Sequence, residues 1–222
     1  REHYKPLPKL RELRRAKRLD TLENCALELA EQLRLTAKIP WSSVGISGSL
    51  MVGLHTKSSD IDIVVYGSQN FRRLEKTINQ FVETGKLRYV FNNRLDAARR
   101  YKGRYLNKVF MYNAVRKPEE VNSKYGLFRY SPVTPVRFQC RVKDDSEAMF
   151  RPAIYKIEDY KPTNNASMLS KDEVPELVVS MIGCYRNVAK NGDKIRVSGM
   201  LELVTNVETG EVFHQAVVGS ST

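Results

Sequence analysis

The chain has 222 residues, enough for one large or two small domains with cores of their own. Hydrophobic residues make up 41% and charged residues 28%, ordinary for a globular protein, and no apolar run approaches the roughly 18 residues of a membrane-spanning helix. The net charge of +12 is concentrated, with fourteen Lys/Arg against three Asp/Glu in residues 86–141 and eight against three in residues 1–20; such clustering points to a polyanionic partner.

Three cysteines, Cys25, Cys140 and Cys184, are odd in number, far apart and without a CxxC pair. They read as small buried hydrophobes of a reducing compartment, and with no His nearby they offer no zinc-ligand spacing. The basic start has no apolar core of a secretory signal, so a cytoplasmic location is expected. No Ser/His/Asp arrangement for a serine hydrolase is readable. Of His3, His55 and His214, His214 is expected at the surface, and His55 in the loop before Asp60, solvent-exposed or touching phosphate.

Arg1 to Pro8 reads as an irregular lead, broken by Pro6 and Pro8. Lys9 to Thr36 reads as helix, interrupted or capped near Asp20-Thr21, with Leu10, Leu13, Leu22, Ala26, Leu29 and Leu33 in one apolar stripe. Its first half carries Arg11, Arg14, Arg15, Lys17 and Arg18, a solvated face or a phosphate-contacting arm. Pro40-Trp41 closes it.

Val44 to Gly67 follows: VGISGSLMVGLHTKSSDIDIVVYG. A short apolar strand ends at Gly48-Ser49, a loop intervenes, and a second strand starts at Asp60. Strand alternation sends Ile61, Ile63 and Val65 to one face and Asp60 and Asp62 to the other. Two carboxylates so placed repel each other and suit Mg²⁺, which takes hard oxygen ligands from one or two carboxylates plus substrate phosphates. Glycine lets backbone approach a phosphate, and turn N–H groups with a serine hydroxyl can cradle one.

Gly67-Ser68 is a turn, Asn70 to Gly85 a helix with Phe71, Leu74, Ile78 and Phe81 on one face, and Leu87 to Phe91 a strand. Arg94 to Tyr101 reads as helix broken at Gly103, and Lys108 to Val115 as strand. Tyr125–Tyr130 and Val133–Val142 read as two further strands of the first domain, the prolines at 132 and 135 limiting how central the later one can be. Residues 86–141 hold ten of the nineteen Phe and Tyr residues, interleaved with cations. That mixture suits stacking of unpaired bases and contact with phosphates. Arg99, Arg100, Lys102 and Arg104 form its densest cluster, able to grip nucleic acid or a triphosphate.

A domain boundary is expected near 148, giving domains 1–148 and 149–222. Glu176–Val188 reads as a long strand or a strand pair, Asn191-Gly192-Asp193 and Thr209-Gly210 as turns, and Lys194–Val204 with Val212–Val218 as a hairpin. The expected fold class is α+β: a mixed sheet with helices, then a small antiparallel β-barrel-like domain, OB-like in outline, that binds a partner or packs on the first domain.

Gly48-Ser49 followed by Asp60-x-Asp62 at the head of an apolar strand, with a helix on either side, resembles the nucleotidyltransferase superfamily typified by DNA polymerase beta, and its archaeal and bacterial members with an extra C-terminal β domain. The resemblance covers about residues 25–90. It implies transfer of a nucleoside monophosphate from an NTP with Mg²⁺ or Mn²⁺. Gly48, Ser49, Lys57, Ser58 and Ser59 would then hold the nucleotide, and Asp60 and Asp62 the metal. The acceptor is RNA by the charge distribution, a protein hydroxyl or a small molecule being the other options; a cationic small molecule fits the basic segment poorly. One departure stands out. The family has a third acid on a neighbouring strand, yet Val133–Val142 offers only Arg137, Gln139 and Arg141. Asp144, Asp145, Glu119 and Glu120 are the nearest alternatives. The competing expectations are a degenerate member that binds nucleic acid without turnover, favoured by that departure, and an antitoxin-partnered minimal enzyme, which this chain exceeds in size.

Overall fold

The structure is a computed structural model that describes residues 5–121 and 124–219; His3 lies outside the described residues. The chain forms two compact units, Arg1–Glu120 and Val121–Thr222.

In the first unit, α1 (Pro6–Arg15) starts on the very prolines expected to break the lead. Proline is at home in a first helical turn, where its missing N–H has no partner to lose. α2 (Thr21–Ala37) is separate from it, because Asp20 and Glu23 form a capping box. The remaining elements are β1 (Val44–Ser47), a single helical turn α3 (Gly48–Met51), β2 (Ile61–Tyr66), α4 (Ser68–Glu83), β3 (Arg88–Tyr89), α5 (Arg94–Arg99), β4 (Lys102–Tyr105) and β5 (Lys108–Val115). The sheet order is β1-β2-β5-β4-β3, with β2 and β5 parallel and the other pairs antiparallel.

Helices α2 and α4 cover one face of this sheet. Ile61, Ile63, Val65, Phe110 and Tyr112 point into it and are buried, as are Leu29, Leu33, Leu74 and Ile78 of the helices. Tyr105 of β4 donates to Glu28 of α2 at 2.6 Å, and Tyr89 of β3 donates to Asn79 of α4 at 2.6 Å. Among the described residues of this unit, the other face is covered toward β1, where α1 packs so closely that a Cβ on Gly45 would lie 2.6 Å from the Pro6 carbonyl carbon. Arg94 to Tyr101 was expected as helix, with a break at Gly103 and no strand assigned to the residues that follow. Instead α5 stops at Arg99, and Lys102–Tyr105 returns as a strand beside β5. Gly103 explains the close fit, since a Cβ there would meet the Phe110 ring at 2.7 Å.

The second unit contains β6 (Phe128–Glu147), β7 (Ala153–Pro162), β8 (Leu177–Ser180), β9 (Lys194–Asn206) and β10 (Val212–Val217), hydrogen-bonded in a closed ring β10-β8-β7-β6-β9. Four pairings are antiparallel; β8 and β10 run parallel, so the unit is barrel-like without being wholly antiparallel. The ring is filled by Val136, Phe138, Cys140, Val142, Tyr155, Val197 and Leu201. The two strands expected on either side of Ser131 are one strand of 20 residues, and it belongs to this unit. The expected division at 148/149 therefore falls inside the second unit. β6 carries its prolines in a stretch paired with β9 alone, with a register slip between Pro132 and Thr134. Glu176–Val188 forms only the short β8 before a helical turn at Gly183–Tyr185, while the Thr209-Gly210 hairpin forms as read.

Candidate active site

The open face of the first sheet is organised by the β1–β2 pair. Ser47 stands opposite Asp62, and the chain leaves β1 through Gly48 in a left-handed conformation, φ +64. A Cβ on that glycine would sit 2.0 Å from Oδ2 of Asp62. Any other residue would collide with the carboxylate, so the glycine exists because backbone and Asp62 must nearly touch. Ser49 follows, partly exposed, in the same turn.

Asp60 and Asp62 share the face opposite the helix-packed Ile61 and Ile63, as the alternation predicts. Burial, and after it the negative charge of Asp60, push the Asp62 carboxyl above its usual range, with Lys102 pulling the other way. A half-buried acid whose charge is disfavoured by a second acid is the electrostatic condition that a divalent cation relieves. The donor set of two carboxylates beside a glycine-lined turn fits one such cation, with further ligands left to phosphates.

Lys102 is the residue whose place at this site the sequence conceals. Across the sheet, Ser47 of β1, Asp62 of β2, Met111 of β5 and Lys102 of β4 stand in one row. From there Lys102 reaches back over Met111, and its Nζ lies 3.6 Å from Oδ2 of Asp60. It was read with the nucleic-acid cluster. The signal available was the alternation of Lys102-Gly103-Arg104-Tyr105, the period of a strand.

The strand beside the acid pair is β5, not Val133–Val142, which lies in the other unit. Register places Val109, Met111 and Asn113 of β5 on the face of Asp60 and Asp62, and none is acidic. The alternatives fare no better. Glu120 accepts from Ser68 N and Oγ, both at 2.9 Å, and from Lys117 N at 2.9 Å. It follows the far end of β5 and caps the start of α4, where the Gly67 N-cap offers no side chain. Burial alone would raise its pKa, but these hydrogen bonds bring it below the usual carboxylate value. Glu119 is exposed beside it, 3.7 Å from Lys117 Nζ. Asp144 sits on β6 of the second unit, held by Ser146 N at 2.8 Å and facing Lys156 at 3.4 Å, and Asp145 adjoins it on the same strand.

The loop between α3 and β2 is tied down at both ends. His55 Nε2 lies 2.7 Å from Asp20 Oδ2 at the head of α2, and Lys108 Nζ donates to the Lys57 carbonyl. Ser59 Oγ accepts from Thr56 N at 3.0 Å, closing a small turn that leaves Lys57 and Ser58 exposed. Asp20, Glu23 and His55 bring ligand atoms within 4.8 Å of one another. The two carboxylates of that trio already accept each other's backbone N–H in the capping box, at 2.8 and 3.1 Å. The protein groups thus account for the cluster.

The four expected nucleic-acid contacts separate. Arg99 is buried, its guanidinium 3.6 Å from the Tyr101 ring centroid. Arg100 is exposed at the end of α5, and Lys102 faces Asp60. Arg104 is exposed on the open face and opposes Arg88 of β3. On that face the acid pair therefore gives way, across Val109 and Met111, to Lys102, Arg104 and Arg88.

Residues 30–122 match the family described as the nucleotidyltransferase domain. An uncharacterized protein of Methanocaldococcus jannaschii is 31% identical over 206 residues, a match covering 82% of this chain and 57% of that protein. The chain thus spans little more than half the length of that relative. No solved structure matches it. Among the described residues no helix is long and apolar enough to cross a membrane. From the second half of α2 through β5, with the Gly48 turn and the Asp60/Asp62 pair at its centre, the chain carries a nucleotidyltransferase domain.

Proposed function

We propose that the protein transfers a nucleoside monophosphate from an NTP to an RNA acceptor, with Mg²⁺ or Mn²⁺ held by Asp60 and Asp62. The observation that supports this reading most is the close approach of the Gly48 backbone to Asp62, a fit that only glycine permits. The turn at Gly48 and Ser49, with Ser59 and Lys57 in the loop beyond, receives the triphosphate; Asp60 and Asp62 fix the metal end of the nucleotide. The cation, when bound, neutralises phosphate charge and polarises the phosphorus under attack. Positioning and charge neutralisation then account for the rate. Lys102 supplies a fixed positive charge at Asp60. Arg104 and Arg88 carry the acceptor's phosphates toward the acid pair. Three free thiols suit a reducing, cytoplasmic setting.

One observation favours a second reading, a nucleic-acid-binding protein that keeps the fold without turnover: β5 presents no acid to the site, and Lys102 occupies the approach to Asp60. The two readings separate in one experiment. The melting temperature of wild type and of Asp60→Asn/Asp62→Asn is measured with Mg²⁺ and each NTP, since a ligand of the native state alone raises apparent stability. A rise in wild type that the double variant lacks supports the nucleotide site, and label incorporated into RNA from α-labelled NTP supports transfer. A wild type that responds to no NTP while RNA stabilises both proteins overturns the enzyme reading.

A further inference from the structure

The second unit is nearly neutral, with thirteen Lys/Arg against twelve Asp/Glu in residues 121–222, yet its cations are not spread evenly. On β6, Val136, Phe138, Cys140 and Val142 fill the ring, so Arg137, Gln139 and Arg141 point outward. The ladders set Lys161 of β7 and Arg196 of β9 on either side of Gln139, Ser198 opposite Arg137, and Lys194 opposite Arg141. Arg137, Lys161, Lys194 and Arg196 are all exposed, and among the described residues none of the four has an ion-pair partner. Arg141 is the exception, its Nε 3.2 Å from Asp159 Oδ2, with Glu158 beside it; this pair marks the end of the patch. Between Arg137 and Arg196 the surface is hollowed into a groove of about 540 Å³ whose floor includes Thr163 and Ser198. The groove's edge is held by backbone contacts: Thr163 N and Oγ1 each donate to the Arg137 carbonyl at 3.0 Å, and Arg137 N donates to Ser167 Oγ at 2.8 Å.

We propose that this face of β7, β6 and β9 binds a single-stranded nucleic acid through its phosphates, as a site of its own within the second unit. Four like charges on neighbouring strands repel one another in the absence of an anion, and Asp159, the acid that shares a depression with Lys161 and Lys194, is engaged by Arg141. Residues two apart on a strand are separated by about 6.6 Å and neighbouring strands by about 4.8 Å, so the cations cover roughly 13 Å by 10 Å. That is a field for a few consecutive phosphates of one chain. The charges sit on long, exposed side chains with no convergent buried donors, which suits an extended polyanion more than a lone phosphate. Ser198, Thr163 and the Gln139 amide add uncharged donors for sugar or base edges, which lie within reach of a chain laid along β6.

The test uses a fluorescein-labelled 12-nucleotide oligo-uridylate and the full chain, with affinity read by anisotropy between 50 and 300 mM KCl. Four phosphate contacts give a slope of log K against log salt of roughly −2.8, and each cation removed reduces it by roughly 0.7. Arg137→Ala/Arg196→Ala is expected to weaken binding at least roughly tenfold at the lowest salt and to flatten the slope by about 1.4, with an unchanged melting temperature. Lys161→Ala/Lys194→Ala, on the same face, is expected to do the same. Unchanged affinity in both variants overturns the proposal, and so does weaker binding with an unchanged slope. It is equally overturned if a duplex of the same sequence, or an acidic peptide of equal charge, binds the wild type as tightly. The melting response to Mg²⁺ and NTP, read in parallel, belongs to Asp60 and Asp62 and is expected to survive both variants. Its absence in wild type would therefore sink the enzyme reading while leaving this one standing.

Discussion

Asp62 holds the clearest consequence at the scale of single residues. Because its folded pKa is raised, by burial first and Asp60 second, the folded chain keeps a proton there at pH values where the unfolded chain has lost it. Stability from this group is therefore highest below the ordinary carboxylate range and declines as pH rises through the raised value. In chelator and without nucleotide, Asp62→Asn is expected to melt above wild type at pH 7.5 and level with it near pH 3. Thermal melts at the two pH values check the sign, and a variant that melts lower at pH 7.5 contradicts it. Gly48→Ala is the steric counterpart. The left-handed backbone and the 2.0 Å approach to Asp62 predict a loss of about 1–3 kcal/mol in urea unfolding. The response to Mg²⁺ and NTP should vanish with it, because the new methyl displaces the carboxylate.

At the scale of elements, the legible parts of the sequence were those with local punctuation. Asp20 before an apolar stripe marks the start of α2, Gly48-Ser49 the end of β1, and Asp60-x-Asp62 the head of β2; each is a short-range rule that the structure obeys. Where tertiary contact decides, the reading failed. β4 was given no element of its own, yet Gly103 lies against Phe110 and Tyr105 reaches Glu28 on α2, so the segment joins the sheet. β6 looks like two strands because prolines punctuate it, yet it runs through them, with a register slip in a stretch paired with β9 alone. Its membership of the second unit is set by long-range pairing with β9, which no local pattern announces. The capping box is testable in the same terms. Asp20→Ala removes the acceptor of Glu23 N and the partner of His55 together, and is expected to cost about 1 kcal/mol or somewhat more. Asp20 holds its carboxyl below the usual value chiefly through the hydrogen bond from Glu23 N. Its stabilisation is accordingly present above the ordinary carboxylate pKa and lost as pH falls through the depressed one. Urea melts of wild type and Asp20→Ala should converge once pH has fallen through that depressed value; a gap that persists there means the box is not the source.

For the whole molecule, the site was legible in part for a physical reason. The acid pair and the glycine turn are neighbours in sequence, whereas the strand beside them and the lysine that meets Asp60 are brought in by sheet order, β1-β2-β5-β4-β3. Charge was legible as an amount in a stretch and not as a surface: Arg99 of that stretch is buried on a tyrosine, Arg104 and Arg88 line the open face of the first sheet, and Arg137 belongs to the second unit. The two kinds of anion binding should then answer differently to salt. A nucleotide bound through a cation at a half-buried acid pair is screened little. A nucleic acid gripped by exposed cations binds by releasing counterions. Four contacts, those of the second unit, give a slope of roughly −2.8, a loss of roughly 50-fold between 50 and 200 mM KCl. Anisotropy with labelled RNA at the two salt concentrations, beside melts with Mg²⁺ and NTP at the same two, measures both. The expected result is a steep fall in the first and a largely preserved shift in the second. A fall of less than about tenfold for RNA would mean that no more than two or three of these cations meet phosphate, and that the charge serves another partner.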